Sequence, residues 1–120
     1  MAVVDATQPR GRTDLSGRVT VRRSASSTDL QLAGEVDAAV VAEFHAEQGT
    51  PEPVDVIDAS AVTFLCVQAA ELIAVWARVS AGAGRAAVLR RPSRHVRRVL
   101  ELTGLDGEVR IPSPRSAPPG

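Results

Sequence analysis

The feature that most constrains the fold is the change, within residues 54–70, from a strand pattern to a helical pattern. Residues 54–58 combine three aliphatic side chains with two aspartates, which is typical of a buried strand. A small-residue segment follows, and apolar residues then recur at spacings of four, three, four and three: Leu65, Ala69, Leu72, Trp76 and Val79. This spacing predicts one face of a helix, so we expect a strand, a loop and a helix over residues 66–80.

The carboxyl end of this predicted strand points at the N-terminus of the predicted helix. Open α/β sheets usually place their ligands there, because unpaired backbone N–H groups and the positive end of the helix dipole favour an incoming anion. The junction between strand and helix is therefore the first place to look for function.

The remaining elements follow from the same two kinds of pattern. Alternating apolar and polar residues predict a hairpin formed by residues 17–23 and 29–33, with Gly34 and Glu35 ending the second strand. Asp37 is a good N-cap for a helix that ends near Gly49. The later elements are a short strand at residues 86–89, a third helix at 93–103 and, as an optional fifth strand, residues 109–111.

This order predicts an α/β fold, namely a mixed sheet of four or five strands with three to four helices packed largely on one face. The 120 residues are enough for one domain with its own core, which we place at residues 15–112. Residues 1–14 and 113–120 are rich in proline, glycine, serine and charge, so we expect both to be disordered tails.

Composition excludes several classes of protein. The single cysteine, Cys66, cannot form an internal disulfide, and no cysteine or histidine set has zinc-ligand spacing. No apolar run is long enough to span a bilayer, so we expect a soluble, cytoplasmic protein without membrane insertion. Neither a cofactor nor a metal is predicted.

Charge is unevenly distributed although the net charge is zero. Residues 29–71 hold nine acidic side chains and no basic one, whereas residues 78–98 hold seven arginines and no acid. Such a division favours a protein partner over nucleic acid. The arginines of residues 90–98 lack interleaved aromatic residues and a helix-turn-helix pattern, so we interpret them as a solvated face or a docking surface for an acidic partner.

Three motifs and their order resemble a known family. The motifs are GEVDAA at residues 34–39, IDASAVTFL at 57–65 and PSRHVRRVLELTGL at 92–105. With them the chain resembles a STAS domain of the anti-sigma factor antagonist type, over roughly residues 16–112. The resemblance implies the STAS fold and, as partner, an anti-sigma factor that is also a serine kinase.

The same resemblance implies a phosphorylation site that this chain has lost. In the family, an aspartate, two serines and a glycine follow the strand, and the partner kinase phosphorylates the first serine. Here these positions are Cys66, Val67, Gln68 and Ala69, so all four depart from the pattern. Val67 is thus a degenerate phosphoacceptor position, and since valine cannot accept a phosphate, the domain would stay competent to bind its partner.

We therefore predict a non-catalytic regulatory binding module. Its predicted partner-binding residues come from residues 63–71 and from the first helix cap: Asp37, Thr63, Phe64, Cys66, Val67, Gln68 and Glu71. The alternative is a degenerate STAS subunit that scaffolds a transporter ATPase or a signalling complex.

Other reactive residues have simpler interpretations. A redox role for Cys66 is weaker than a packing role, because no arginine lies within several positions of it. We expect Asp37 to cap a helix and Asp58 to end a strand and bond the following amides, instead of acting as acids or magnesium ligands. His45 and His95 are predicted to be solvated, since neither has a partner in a plausible triad.

Overall fold

The computed structural model describes residues 17–112. They form four strands, three α-helices and one short 3₁₀ helix. In chain order these are β1 (Arg18–Arg23), β2 (Thr28–Val36), α1 (Ala38–Gln48), β3 (Val56–Leu65), α2 (Val67–Gly82), β4 (Val88–Arg90), α3 (Arg94–Leu102) and the 3₁₀ helix (Asp106–Glu108). The predicted tails at residues 1–14 and 113–120 lie outside the described residues, and the predicted domain bounds of 15–112 stay a prediction.

The strands form one mixed sheet in the order β1-β2-β3-β4. β1 and β2 are an antiparallel hairpin, whereas β3 runs parallel to both β2 and β4. The α/β fold, the mixed sheet and the hairpin were predicted from sequence, and all three are confirmed.

β3 is twice as long as predicted. It was predicted at residues 54–58 with a loop after it, and this was wrong, because the strand begins at Val56 and continues to Leu65. Its second half pairs with β2, where Ala61 lies opposite Ala33 and Leu65 lies opposite Val36. Backbone pairing with a neighbouring strand thus outweighs the weak strand propensity of the small residues. Leu65, predicted to start the apolar face of the helix, is the last residue of the strand.

β2 also extends beyond its predicted end. Gly34 has a φ of +71°, a conformation that glycine adopts without steric cost, and the chain then continues in the strand to Val36. The register between β2 and β3 shifts on both sides of this position, as at a β-bulge. The bulge lets the strand pass Gly34 and reach the edge of the sheet where α1 begins.

The helices agree closely with prediction. α1 begins after Asp37 and ends before Gly49, and α3 begins after Ser93 and is followed by Gly104, whose φ is +75°. α2 begins one residue later and ends two residues later than predicted, so that Cys66 is its cap instead of its first residue. The predicted strand at residues 86–89 is displaced to β4, and the optional fifth strand is reduced to a single bridge between Val88 and Arg110.

The core lies between the sheet and the helices and is mostly aliphatic. Its largest fully buried members include Leu30, Ile57, Ile73, Leu89 and Leu100, from β2, β3, α2, β4 and α3. The rings of Phe44 and Trp76 pack at a centroid distance of 5.6 Å and join α1 to α2. The described part of the opposite sheet face is polar and carries Thr20, Gln31, Asp58 and Ser60. No helix within residues 17–112 is long and apolar enough to cross a membrane.

Candidate partner-binding surface

The predicted binding residues come together where β2 and β3 end. The backbone N–H of Cys66 donates to the carbonyl of Val36 at 3.1 Å, which holds the starts of α1 and α2 side by side. We call the surface formed there the junction surface and define it as the seven predicted residues: Asp37, Thr63, Phe64, Cys66, Val67, Gln68 and Glu71. All of them are exposed except Cys66, which is partly buried.

Two large apolar side chains are exposed at this surface. Val67, the first residue of α2, has a relative exposure of 52%, and Phe64, near the end of β3, has 44%. Within residues 17–112 the only other large apolar side chain of this kind is Leu102, at 72%, near the end of α3. Exposed apolar side chains that form a patch in an otherwise polar surface are typical of protein interaction sites.

The position of Val67 follows from the periodicity of α2. The buried face of the helix begins with Ala69 and Ala70 and continues through Leu72 and Trp76. Val67 lies outside this face, and Glu71, one turn further on, is exposed on the same side. Burial of α2 therefore turns residue 67 towards solvent whatever its side chain is.

Cys66 caps α2 with sulfur in place of oxygen. Its backbone is extended, with φ −84° and ψ 173°, and its Sγ accepts a hydrogen bond from the Ala69 N–H at 3.4 Å. Thiol sulfur is a weak acceptor, so this cap holds the first turn less firmly than a carboxylate would. Among residues 17–112 no ion pair involves the neighbours of Cys66 on the junction surface.

Asp37 caps α1 as predicted. Its Oδ1 accepts a hydrogen bond from the Val40 N–H at 3.0 Å, while the rest of the carboxylate is exposed to solvent. A structural role as an N-cap and exposure to a partner are therefore compatible at this residue.

His95 makes two contacts, with Leu65 and with Phe64, that no sequence pattern revealed. It was predicted to be solvated and is exposed, but its Nε2 also accepts a hydrogen bond from the Leu65 N–H at 3.1 Å. Its ring also stacks on Phe64, with centroids 5.6 Å apart and planes inclined by 25°. The two residues are 31 positions apart and belong to different elements, so no local pattern in the sequence could have paired them.

Asp58, the other acidic candidate, makes contacts within the fold. Asp58 was predicted to end a strand, but it is the third residue of β3, which continues to Leu65. Its Oδ1 accepts from the backbone N–H and the hydroxyl of Ser60, at 3.0 and 2.7 Å, and its Oδ2 lies 3.4 Å from Arg90. Burial alone would raise the pKa of Asp58, but the Ser60 hydrogen bonds and the Arg90 charge outweigh it and lower the pKa below its usual value.

No metal site accompanies these residues. Within residues 17–112 there is no group of three or more histidine, cysteine or acidic side chains that could hold a metal ion. His45 is exposed on α1, in contact with the ring of its neighbour Phe44. What the junction surface offers a ligand is thus apolar contact area flanked by Asp37, Gln68 and Glu71, which suits recognition of a protein.

Comparisons with known proteins agree with the fold. A structure of the anti-sigma factor antagonist SpoIIAA in its unphosphorylated form is 20% identical, with a TM-score of 0.58, over 82% of this chain and 91% of that one. A crystal structure of an anti-sigma factor antagonist from Mycobacterium paratuberculosis is 27% identical, with a TM-score of 0.61, over 85% of this chain and 91% of that one. A search of curated protein sequences gave no significant match.

A model of a protein family, matched by sequence, identifies the family of this chain. The model described as Mlab, STAS domain, matches residues 19–112, which is nearly the whole of the part that the structure describes. The fold of those residues matches the two similar structures over most of each chain. The chain belongs to the STAS domain family.

Proposed function

We propose that the chain is a non-catalytic regulatory module that binds an anti-sigma factor of the serine-kinase type through the junction surface. Membership of the STAS family and similarity to two anti-sigma factor antagonists support the class of function. The observation that carries the proposal is that Phe64, near the end of β3, and Val67, at the start of α2, both expose large apolar side chains. Two apolar groups of this size at the carboxyl end of β3 and the start of α2 can supply the desolvated centre that protein interfaces need.

Val67 also determines how the module is regulated. Phosphoryl transfer requires an oxygen nucleophile, and valine has two methyl groups in the outline of threonine. In the family that the chain resembles, the unphosphorylated form binds the anti-sigma factor, because close to two negative charges on the modified serine repel it. A valine at this position keeps the surface permanently in the binding state, so the chain occupies its partner and frees the sigma factor.

Affinity capture tests the proposal. Wild-type protein, Val67→Asp and Leu102→Asp are used as bait in extract from the source organism, bound proteins are identified by mass spectrometry, and the interaction is repeated with the purified partner. Leu102→Asp is the matched control, because it also places a carboxylate on an exposed apolar residue, but on α3. We expect wild type and Leu102→Asp to bind a serine-kinase anti-sigma factor and Val67→Asp to lose it.

Circular dichroism and thermal melting establish that all three proteins are folded to the same extent. Equal binding of the anti-sigma factor by wild type and Val67→Asp would show that the partner docks elsewhere. Absence of any such factor from the wild-type complexes would reject the proposed partner.

A second candidate function is favoured by the description of the family model. The model that matches is described as Mlab, STAS domain, and not as an antagonist. In the second role the chain is a degenerate STAS subunit that scaffolds a transporter ATPase or a signalling complex. Recovery of an ATPase of the ABC type in the same capture experiment, in place of the anti-sigma factor, would identify it.

A further inference from the structure

We propose that His95 is a positioning residue of the junction surface, and that protonation of its imidazole releases Phe64 and the end of β3. The inference deepens the proposed function and rests on it, because it adds a pH-dependent control to the surface that binds the partner. In this chain the pH-dependent control would act at the surface where phosphorylation of residue 67 cannot.

The hydrogen bond to Leu65 fixes the protonation state of the imidazole. A backbone N–H can only donate, so Nε2 must offer a lone pair, and in the neutral ring the proton then resides on Nδ1. Leu65 is 2% exposed, and a buried amide without an acceptor is unfavourable. The imidazole therefore completes the hydrogen bonding of the last residue of β3.

The same ring supports Phe64. The stacked arrangement places His95 against one face of Phe64, while the other parts of that side chain remain exposed for a partner. His95 thus holds two consecutive residues of β3, one by its backbone and one by its ring. They immediately precede Cys66 and Val67, so the contact lies next to the exposed valine.

The ring itself is held by a well-fixed helix. Ser93 caps α3 by accepting the Val96 N–H at 3.2 Å, and Val96 and Leu100 are fully buried in the core. His95 lies between the cap and the first buried residue, so its backbone cannot move without disturbing both. The core therefore anchors α3, and α3 positions the end of β3 through one imidazole.

Protonation removes the hydrogen bond. An imidazolium ion carries N–H groups on both nitrogens and has no acceptor, so it faces the Leu65 N–H with a donor. Histidine is the side chain whose charge ordinarily changes between about pH 5 and pH 8. We therefore expect the end of β3 and the Phe64 ring to loosen when the imidazole of His95 is protonated.

In the part of the chain that the structure describes, none of the charged groups near His95 pairs with its imidazole in place of the Leu65 N–H. The charged side chains that line the adjoining cavity are Arg94, Arg97, Arg98 and Glu101, all on α3. β3 contributes only the Phe64 ring and the Leu65 backbone. The charged and titratable groups of the other elements packed nearby are Glu71 and Arg78 on α2, Cys66 at its cap, and Asp106 and Glu108 on the 3₁₀ helix. Among residues 17–112 none of them hydrogen-bonds or ion-pairs with the imidazole.

Nuclear magnetic resonance on the isotope-labelled full chain tests the inference without a partner. The imidazole nitrogens of His95, the Leu65 amide and the Phe64 ring are followed from about pH 8 to about pH 5. We expect Nε2 to be the unprotonated nitrogen at high pH, and the Leu65 and Phe64 signals to titrate together with His95. Protection of the Leu65 amide from hydrogen exchange, corrected for the intrinsic pH effect, should fall about tenfold or more.

Two variants separate the hydrogen bond from the ring contact. His95→Gln supplies an acceptor oxygen that does not titrate, so Leu65 should stay protected at every pH. His95→Phe keeps a stacking ring but has no acceptor, so Leu65 should be poorly protected at every pH. Leu65 and Phe64 signals that do not follow the His95 titration, or a His95→Gln variant with the same pH response as wild type, would overturn the inference.

A binding measurement distinguishes this inference from the proposed function. Affinity of the anti-sigma factor for wild type should decrease from about pH 8 to about pH 6, whereas affinity for His95→Gln should change less. Equal decreases in the two proteins would count against His95 as the control. No binding at either pH would reject the proposed function, while the resonance experiment would still decide the role of His95.

Discussion

The two ends of β3 are built differently. Before its amino end, Val54 is fully buried and its N–H donates to the buried Ser80 hydroxyl at 2.8 Å. That hydroxyl in turn donates to the Trp76 carbonyl at 2.7 Å. The Asp55 carboxylate accepts the Thr28 N–H at 2.9 Å, so this end of the sheet has its polar groups paired within the chain.

At the carboxyl end of β3, fewer side chains are buried or paired within the chain. Phe64 and Val67 expose apolar surface, Cys66 caps α2 through a weak sulfur acceptor, and the main side-chain support comes from His95. Apolar exposure and weak capping both cost stability. Under the proposed function, the amino end of β3 serves the fold and the carboxyl end serves recognition.

This comparison predicts that substitutions at the two ends affect different properties. The largest effect is expected at Phe64. Phe64→Ala removes the aromatic centre of the junction surface, and partner affinity should fall by about 2 kcal/mol or more, a factor of roughly 30, as at an interface hot spot. Calorimetric titration with the purified anti-sigma factor measures this change.

Leu102→Ala is the control for Phe64→Ala, because it also truncates an exposed apolar residue. It should leave the affinity within about twofold. If both variants bind like wild type, the carboxyl end is not the recognition end and the comparison fails.

Ser80→Ala tests the amino end. It leaves the buried Val54 N–H without an acceptor, so the free energy of unfolding should fall by about 1.5 kcal/mol while partner affinity is unchanged. Chemical denaturation measures the first quantity and calorimetry the second. Ser26→Ala, on an exposed serine of the β1–β2 turn, should change neither, and a loss of affinity in folded Ser80→Ala would show that the two ends are coupled.

Cys66→Asp sharpens the comparison by completing the cap of α2. A carboxylate oxygen accepts the Ala69 N–H better than sulfur does and interacts favourably with the helix dipole, so unfolding should become less favourable by about 0.5–1 kcal/mol. Cys66→Ala removes the acceptor and should shift stability in the opposite direction. Thermal melts of the three proteins give the ranking, and an unchanged stability in both variants would mean that the sulfur cap contributes nothing.

The smallest effect is expected at Asp58, in the body of β3 between the two ends. Its pKa is lowered in the fold, so the ionised carboxylate stabilises the protein above the unfolded-state pKa of about 3.9, and this stabilisation is lost as the pH falls through the lower, folded-state value. The advantage of wild type over Asp58→Asn should be constant from about pH 7 to pH 5 and shrink below about pH 4. A constant difference down to the lowest pH would contradict the Ser60 and Arg90 contacts.

Local patterns predicted the helices and the hairpin because their signals are local. Asp37 and Ser93 are capping residues directly before apolar repeats, and the apolar spacing of α2 is long enough to define its buried face. The motifs that resemble the STAS family also gave the location of the junction surface, which depends on their order along the chain.

The parts that sequence could not predict depend on pairing between distant segments. Ala59, Ser60 and Ala61 have the composition of a loop, and only the neighbouring β2 strand holds them in β3. Gly34 resembled a strand end, although a bulge carries β2 past it. His95 has no nearby partner in the sequence, since its hydrogen bond and its stacking contact exist only after β3 and α3 have packed.

Under the proposed function, the junction surface binds its partner and cannot be inactivated by phosphorylation. The most direct measurement is the affinity of wild-type protein for its serine-kinase anti-sigma factor after incubation with that kinase and ATP, compared with a non-hydrolysable ATP analogue, together with mass spectrometry of residues 63–68. We predict equal affinity under the two conditions and no phosphate on these residues. A phosphate on Thr63 or on any other residue of this segment, accompanied by loss of binding in ATP, would contradict the account.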